Sequence, residues 1–179
     1  MTELSVLYTA SLDGFIATPT DETPFSSSSW DYYRERLGRF QTLVMGRRTY
    51  ELFCRDTSIE ASLFKYIFVL SRTLPTAPRN GTIVCHSIAE LSTELHTHMI
   101  GEALVLGGSQ TVTAVTIAGM VSTLTVLIEP CLLGSGVPLF CSPLTSAHLS
   151  LREVRGESGG FIVAEYSVAN DRIAPTQDD

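Results

Sequence analysis

The chain has 179 residues, 44% of them hydrophobic and 17% charged, with a formal net charge of −7. This balance fits one folded domain and excludes a wholly disordered chain. The acidic surplus argues against nucleic acid and anionic membranes as partners, since both demand concentrated Lys and Arg.

The apolar, β-prone run Leu4 to Ala10 predicts a buried first strand, and Asp13-Gly14 marks a turn at its end. Thr18 to Ser29 reads as a polar loop. A helix is expected from Ser28 or Ser29 to about Phe40, with Trp30, Tyr33 and Leu37 on one face. Thr42 to Met45 is a short strand ending at Gly46, and Arg47 to Phe53 a helix. Tyr66 to Leu70 and Thr82 to Cys85 are strands, and Ile88 to Met99 is an amphipathic helix. Ala103 to Leu106 then stops at Gly107-Gly108, where Ser109 opens a helix that ends near Gly119. Val121 to Glu129 is a β-branched strand, Pro130 to Phe140 a loop. Leu149 to Arg155 and Phe161 to Val168 form a closing antiparallel hairpin. The alternation gives a three-layer αβα domain over residues 1–169, mostly parallel with antiparallel C-terminal strands, followed by a polar tail, 170–179.

Three strand ends carry one chemistry: Gly46-Arg47-Arg48-Thr49, Ser71-Arg72, and Gly107-Gly108-Ser109-Gln110-Thr111. Helix N-termini offer unpaired N–H groups, arginines add charge, and parallel sheets bind ligands outside the carboxyl ends of their strands. Together they predict a seat for a ligand with several phosphates. No GxGxxG follows the first strand, and neither a Walker A lysine motif nor a GxSxG elbow occurs.

His96 and His98 splay about 200° apart on their helix, and His86 and His148 are isolated, so no metal site is expected. The four cysteines form no CxxC pair, and with neither a signal peptide nor ~18 consecutive apolar residues the reading is cytoplasmic. Asp13 at the end of the first strand and Asp31 on the first helix are the candidate proton carriers.

Ser11-Leu12-Asp13-Gly14-Phe15-Ile16-Ala17, Met45-Gly46-Arg47-Arg48-Thr49-Tyr50-Glu51, Val69-Leu70-Ser71-Arg72, Leu106-Gly107-Gly108-Ser109 and Leu133-Gly134-Ser135-Gly136-Val137-Pro138-Leu139-Phe140 occur in that order. The set resembles the dihydrofolate-reductase-like proteins, in the branch of the riboflavin-biosynthesis reductase. The resemblance implies an NADPH-dependent reductase, similar to 5-amino-6-(5-phosphoribosylamino)uracil reductase. Gly46 to Thr49 would hold phosphates at the adenosine side and Ser71 and Arg72 the 2′-phosphate. Gly107 to Thr111 would cradle the pyrophosphate, and Ala10 and Ile16 would bound the nicotinamide. Asp13 and, on the first helix, Asp31 would serve the substrate side.

Val121-Ser122-Thr123-Leu124 stands where riboflavin-type members commonly show Val-Asp-Glu-Leu, which leaves room for another small heterocycle or carbonyl compound, or for a non-catalytic NADPH binder. The HxE and PCxxC of a zinc deaminase are absent. Arg34, Arg36, Arg39 and Lys65 are the cations left for a substrate phosphate. An apolar edge on the C-terminal strands predicts a homodimer, as family members often are.

Overall fold

A computed structural model describes residues 2–55, 61–75, 81–142, 144 and 146–169. The tail assigned to 170–179 lies outside them. The strands are β1 (Glu3–Ser11), β2 (Phe15–Ala17), β3 (Thr42–Gly46), β4 (Tyr66–Leu70), β5 (Thr82–Cys85), β6 (Glu102–Gly107), β7 (Val121–Glu129), β8 (Val137–Pro138), β9 (Leu149–Gly156) and β10 (Ile162–Val168). The helices are α1 (Ser27–Leu37), α2 (Arg47–Arg55), α3 (Ile88–Thr97) and α4 (Ser109–Ile117), with one 3-10 turn at Ala61–Leu63.

Eight strands form one sheet in the order β5-β4-β3-β6-β1-β7-β10-β9. The chain leaves β1 for β3, runs outward to β5, and returns to insert β6 between β3 and β1. The pairs from β5 through β7 are parallel, and β10 pairs antiparallel with both β7 and β9. The sheet therefore has one carboxyl edge, at which six strands end side by side.

Alternation along the parallel strands splits the apolar residues between two faces. Leu7, Leu43, Met45, Leu104 and Leu127 pack with Leu37 of α1 and with Tyr50 and Phe53 of α2. Val6, Val44, Phe68 and Val105 pack with Leu91 and Leu95 of α3 and with Val112 and Val115 of α4. These are the three layers expected.

Helix α1 departs from the sequence reading at both ends. Its N-cap is Ser26, whose hydroxyl accepts from Ser29 N–H, and it stops at Leu37 with Gly38 as C-cap. Four consecutive serines could each cap this helix on propensity alone, and a contact from β7 selects Ser26. The strands β2 and β8 are additions: they lie within stretches that read as turn and loop, and pair antiparallel through Phe15 with Pro138 and Ala17 with Val137. A Cβ on Gly136 would run into the Ala17 carbonyl, so glycine permits this approach.

Candidate functional site

Along the carboxyl edge stand, in spatial order, His86 after β5, Ser71-Arg72 after β4, Gly46 of β3, Gly107 of β6, Ser11 of β1 and Glu129 of β7. At about 4.8 Å per strand step, β4 to β1 spans roughly 14 Å. Such a row suits an extended ligand lying across the strands.

The centre of the row is built by missing side chains. In β3 and β6, Met45 pairs with Gly107. A Cβ on Gly46 would stand 2.6 Å from Thr111 Oγ1, 3.7 Å from Gly107 O and 3.8 Å from Gly108 N. Gly107 has φ +107°, and a Cβ there would enter the Tyr8 phenol. Thr49 Oγ1 lies 3.6 Å from the Cβ position of Gly108. The Gly107–Gly108 peptide is cis. Gly46, Thr49, Gly107, Gly108 and Thr111 thus converge.

Helix α4 begins at this point with Gly108 as N-cap, and no side chain caps it. Its first-turn N–H groups face the edge with a partial positive charge. Ser109 is turned away from that role, since its hydroxyl donates to Pro138 O in β8. Gln110 is exposed beside it.

The cations lie on the β3–β4 side. Arg47 is 54% exposed and 3.7 Å from Glu51, whereas Arg48 pairs with Asp21 of the polar loop. Ser71 is buried, its hydroxyl accepting from Leu74 N–H at 3.0 Å and Thr73 N–H at 3.3 Å. Arg72 is exposed next to it. His86, isolated in the sequence, joins this group in space. Its Nδ1 is 2.8 Å from Ser71 O, and because a carbonyl only accepts, Nδ1 carries the proton. The Cβ-free centre, the uncapped helix and these cations fit a long anionic ligand.

On the β1 side, Ala10 is buried at the end of the strand and Ile16 is half-buried in β2. Asp13, exposed to solvent, accepts from Ser11 Oγ at 2.6 Å, Gly134 N–H at 2.7 Å and Leu133 N–H at 3.1 Å. The Ser11 bond above all, with the two backbone bonds, holds its carboxyl below the usual carboxylate range. It is ionised at neutral pH and clamps the 131–134 loop to β1. Asp31 lies on the solvent face of α1, 77% exposed and 3.1 Å from Arg34. Arg36 and Arg39 pair with Glu165 and Glu35, and Lys65 precedes β4 at the opposite, amino edge of the sheet.

Three groups escaped the sequence reading. Glu129 is 5% exposed, the single buried charged residue among those described. Its Oε1 accepts from Ser26 Oγ at 2.8 Å and Ser26 N–H at 3.1 Å. Tyr8 Oη and Thr9 Oγ1 are buried with no hydrogen-bond partner among the described residues. Burial pushes the Tyr8 phenol far above its ordinary value, with a smaller push from Tyr33, whose own phenol is raised by burial. Both remain neutral hydroxyls. Only the register of β1 against β7 could have flagged these positions, and register is not written in either strand alone.

Among the described residues no cluster of His, Cys, Asp or Glu is arranged to hold a metal ion, and no helix is long and apolar enough to cross a membrane.

The model of the RibD C-terminal domain matches residues 3–163. The uncharacterized protein YyaP of Bacillus subtilis is 25% identical over 167 residues, covering 87% of this chain and 89% of its own. A candidate riboflavin biosynthesis protein from Shewanella sp. PV-4 superposes with a TM-score of 0.75 at 21% identity, over 93% of this chain and 99% of that one. Dihydrofolate reductase from Enterococcus faecalis, complexed with NADP(H), gives a TM-score of 0.67 at 16% identity, over 93% and 96%. The architecture is thus dihydrofolate-reductase-like.

Proposed function

The chain belongs to the RibD C-terminal domain family, and from that premise we propose that it is a cytoplasmic NADPH-dependent reductase of a small molecule. The observation that carries the reading is the row of strand ends around a Cβ-free centre, with cations at one end and the apolar side chains of Ala10 and Ile16 at the other. The E. faecalis neighbour of the same fold is complexed with NADP(H).

On this reading Gly46, Arg47, Arg48 and Thr49 hold the adenosine-side phosphate, and Ser71 and Arg72 hold the 2′-phosphate. The first turn of α4, with Gly107, Gly108, Ser109, Gln110 and Thr111, receives the pyrophosphate. Ala10 and Ile16 form the wall beside the nicotinamide. A bound reduced nicotinamide supplies hydride to a polarised C=N or C=O carbon. The chain's own work is to hold the donor at the β1 end, exclude water there and fix the 131–134 loop through Asp13.

The substrate reading closest to the family is 5-amino-6-(5-phosphoribosylamino)uracil. Ser122 and Thr123, in place of an acidic pair, favour a second reading: another small heterocycle or carbonyl compound. These residues lie at the start of β7, near Leu4 and Ser5 of β1, at the amino edge away from the diglycine. Their change therefore bears on the substrate reading only indirectly.

The experiment is NADPH binding by thermal shift, followed by oxidation of NADPH with the phosphoribosylaminouracil and a heterocycle panel. Absence of any shift removes the cofactor reading. A shift with no oxidation by any compound replaces the reductase with a binder. The chain is also proposed to dimerise, through β9, the outer strand of the sheet, where Leu149, Leu151 and Val154 are exposed. Sedimentation at a monomer mass would reject that assembly.

A further inference from the structure

We propose that the protein carries a second ligand site at the amino edge of the sheet, beside the end of α1, built for a neutral polyhydroxylated ligand such as a single sugar ring. It lies at the opposite edge from the row of strand ends and does not depend on the reductase reading. Ser5, in its floor, precedes Ser11 by roughly 20 Å of extended strand.

The site is a cleft of about 280 Å³. That is just under the usual span of small-molecule pockets, roughly 300–1,000 Å³, so its occupant is compact. Register makes the floor. Ser5 of β1 pairs with Thr123 of β7, and Leu7 with Thr125, which gathers these side chains on the α1 face of the sheet. Nearer the carboxyl edge that face is apolar, with Met45 and Leu127. Here, past the end of α1 at Leu37, it turns to hydroxyls.

Those hydroxyls are the first observation. Thr125 is 5% exposed, yet its Oγ1, like Ser5 Oγ and Thr123 Oγ1, enters no hydrogen bond among the described residues. Hydroxyls in such a place need partners. All three residues line the cleft, so the partners come from whatever fills it.

The second observation is the balance of charge. Arg36, in the last turn of α1, and Arg39 just after it line one side, with Glu102 of β6 and Glu165 of β10 on the two flanks of the floor. Glu165 is 3.1 Å from Arg36 and 3.7 Å from Arg152, and Arg39 is 2.6 Å from Glu35. Arginines and glutamates are thus matched before any ligand arrives. An anion would meet Glu102 and its register neighbour Glu3, and a cation would meet the arginines. A hydroxyl group both donates and accepts, so it can bond to guanidinium, carboxylate and threonine alike. Phe40 and Leu104 add apolar surface against which the C–H face of a sugar ring would rest.

The test is solution NMR on the full chain, with the methyl glycosides of ribose, xylose, glucose and galactose as probes. At least one is expected to bind saturably, with a Kd of about 1 mM or tighter. Its amide shifts should centre on Ser5, Phe40, Thr123 and Thr125, not on Gly107 and Gly108. Thr125→Val keeps the β-branched shape and removes the hydroxyl. Ser5→Ala, at a half-buried position, serves if that variant fails to fold. Each should weaken the bound sugar by roughly three- to tenfold, the scale of one lost hydrogen bond. Absence of saturable binding by all four sugars overturns the proposal, as do shifts centred on the diglycine or full affinity in the folded variants. Tighter binding of inorganic phosphate or of methylammonium than of any sugar also overturns it, by making the cleft an ion site.

Discussion

Gly107→Ala is expected to abolish measurable NADPH binding and to destabilise the fold by on the order of 2–4 kcal/mol. Two costs combine. The backbone at φ +107° is poorly open to a residue with a Cβ, and the added methyl would occupy the place of the Tyr8 phenol. Tyr8 is held in the core on the α4 side and cannot withdraw without opening a cavity. The displacement would fall at the mouth of α4, where the pyrophosphate is proposed to sit. Gly101→Ala is the matched control, because a Cβ there meets nothing within 4 Å. Urea unfolding and NADPH thermal shift on the two variants decide the matter. A Gly107→Ala protein that binds like wild type would show that the diglycine is a turn and not a cradle.

Arg72→Ala is expected to weaken NADPH by about 1–3 kcal/mol, or roughly 5- to 150-fold, and to leave NADH almost unchanged. The difference arises because the guanidinium is proposed to meet only the phosphate that distinguishes the two cofactors. Arg72 is exposed and its loss disturbs no packing, so the protein should melt as before. Arg48 is the informative neighbour, since its pairing with Asp21 already spends part of its charge within the protein. Titration of both cofactors against wild type and Arg72→Ala checks the outcome. Equal losses for both would remove Arg72 from 2′-phosphate recognition.

Much of the sheet was legible because its parallel strands are buried on both faces. Tyr66 to Leu70 and Ala103 to Leu106 are near-continuous apolar runs closed by turn residues. The glycines at the strand ends were legible for the same reason, as abrupt stops. What stayed hidden depends on contacts between distant segments. The choice of Ser26 among neighbouring serines follows from Glu129, 103 residues away in the chain. The pairing of β2 with β8 joins strands of three and two residues, too short to leave a pattern.

The carboxylates show the limit most clearly. Asp13 was legible as a carboxylate at a strand end, but its bonds to the 131–134 loop join it to N–H groups 120 and 121 positions away, which no local pattern announces. Glu129 looked like the last residue of a β-branched strand. Its burial emerges only once the start of α1 docks on the end of β7 through Ser26, and no local propensity encodes that event.

The clamp at Asp13 makes two remote stretches of chain a single inherited part. Its carboxylate grips N–H groups 120 and 121 positions away, and Gly134, at φ +71°, supplies the bend that presents one of them. The end of β1 and the loop before β8 therefore travel as one jaw. A chimera that takes its first strand from one relative and its C-terminal loop from another would bring together halves of a lock cut separately. Recombination in this fold should respect that joint, exchanging Ser11, Asp13 and Gly134 together or leaving all three in place.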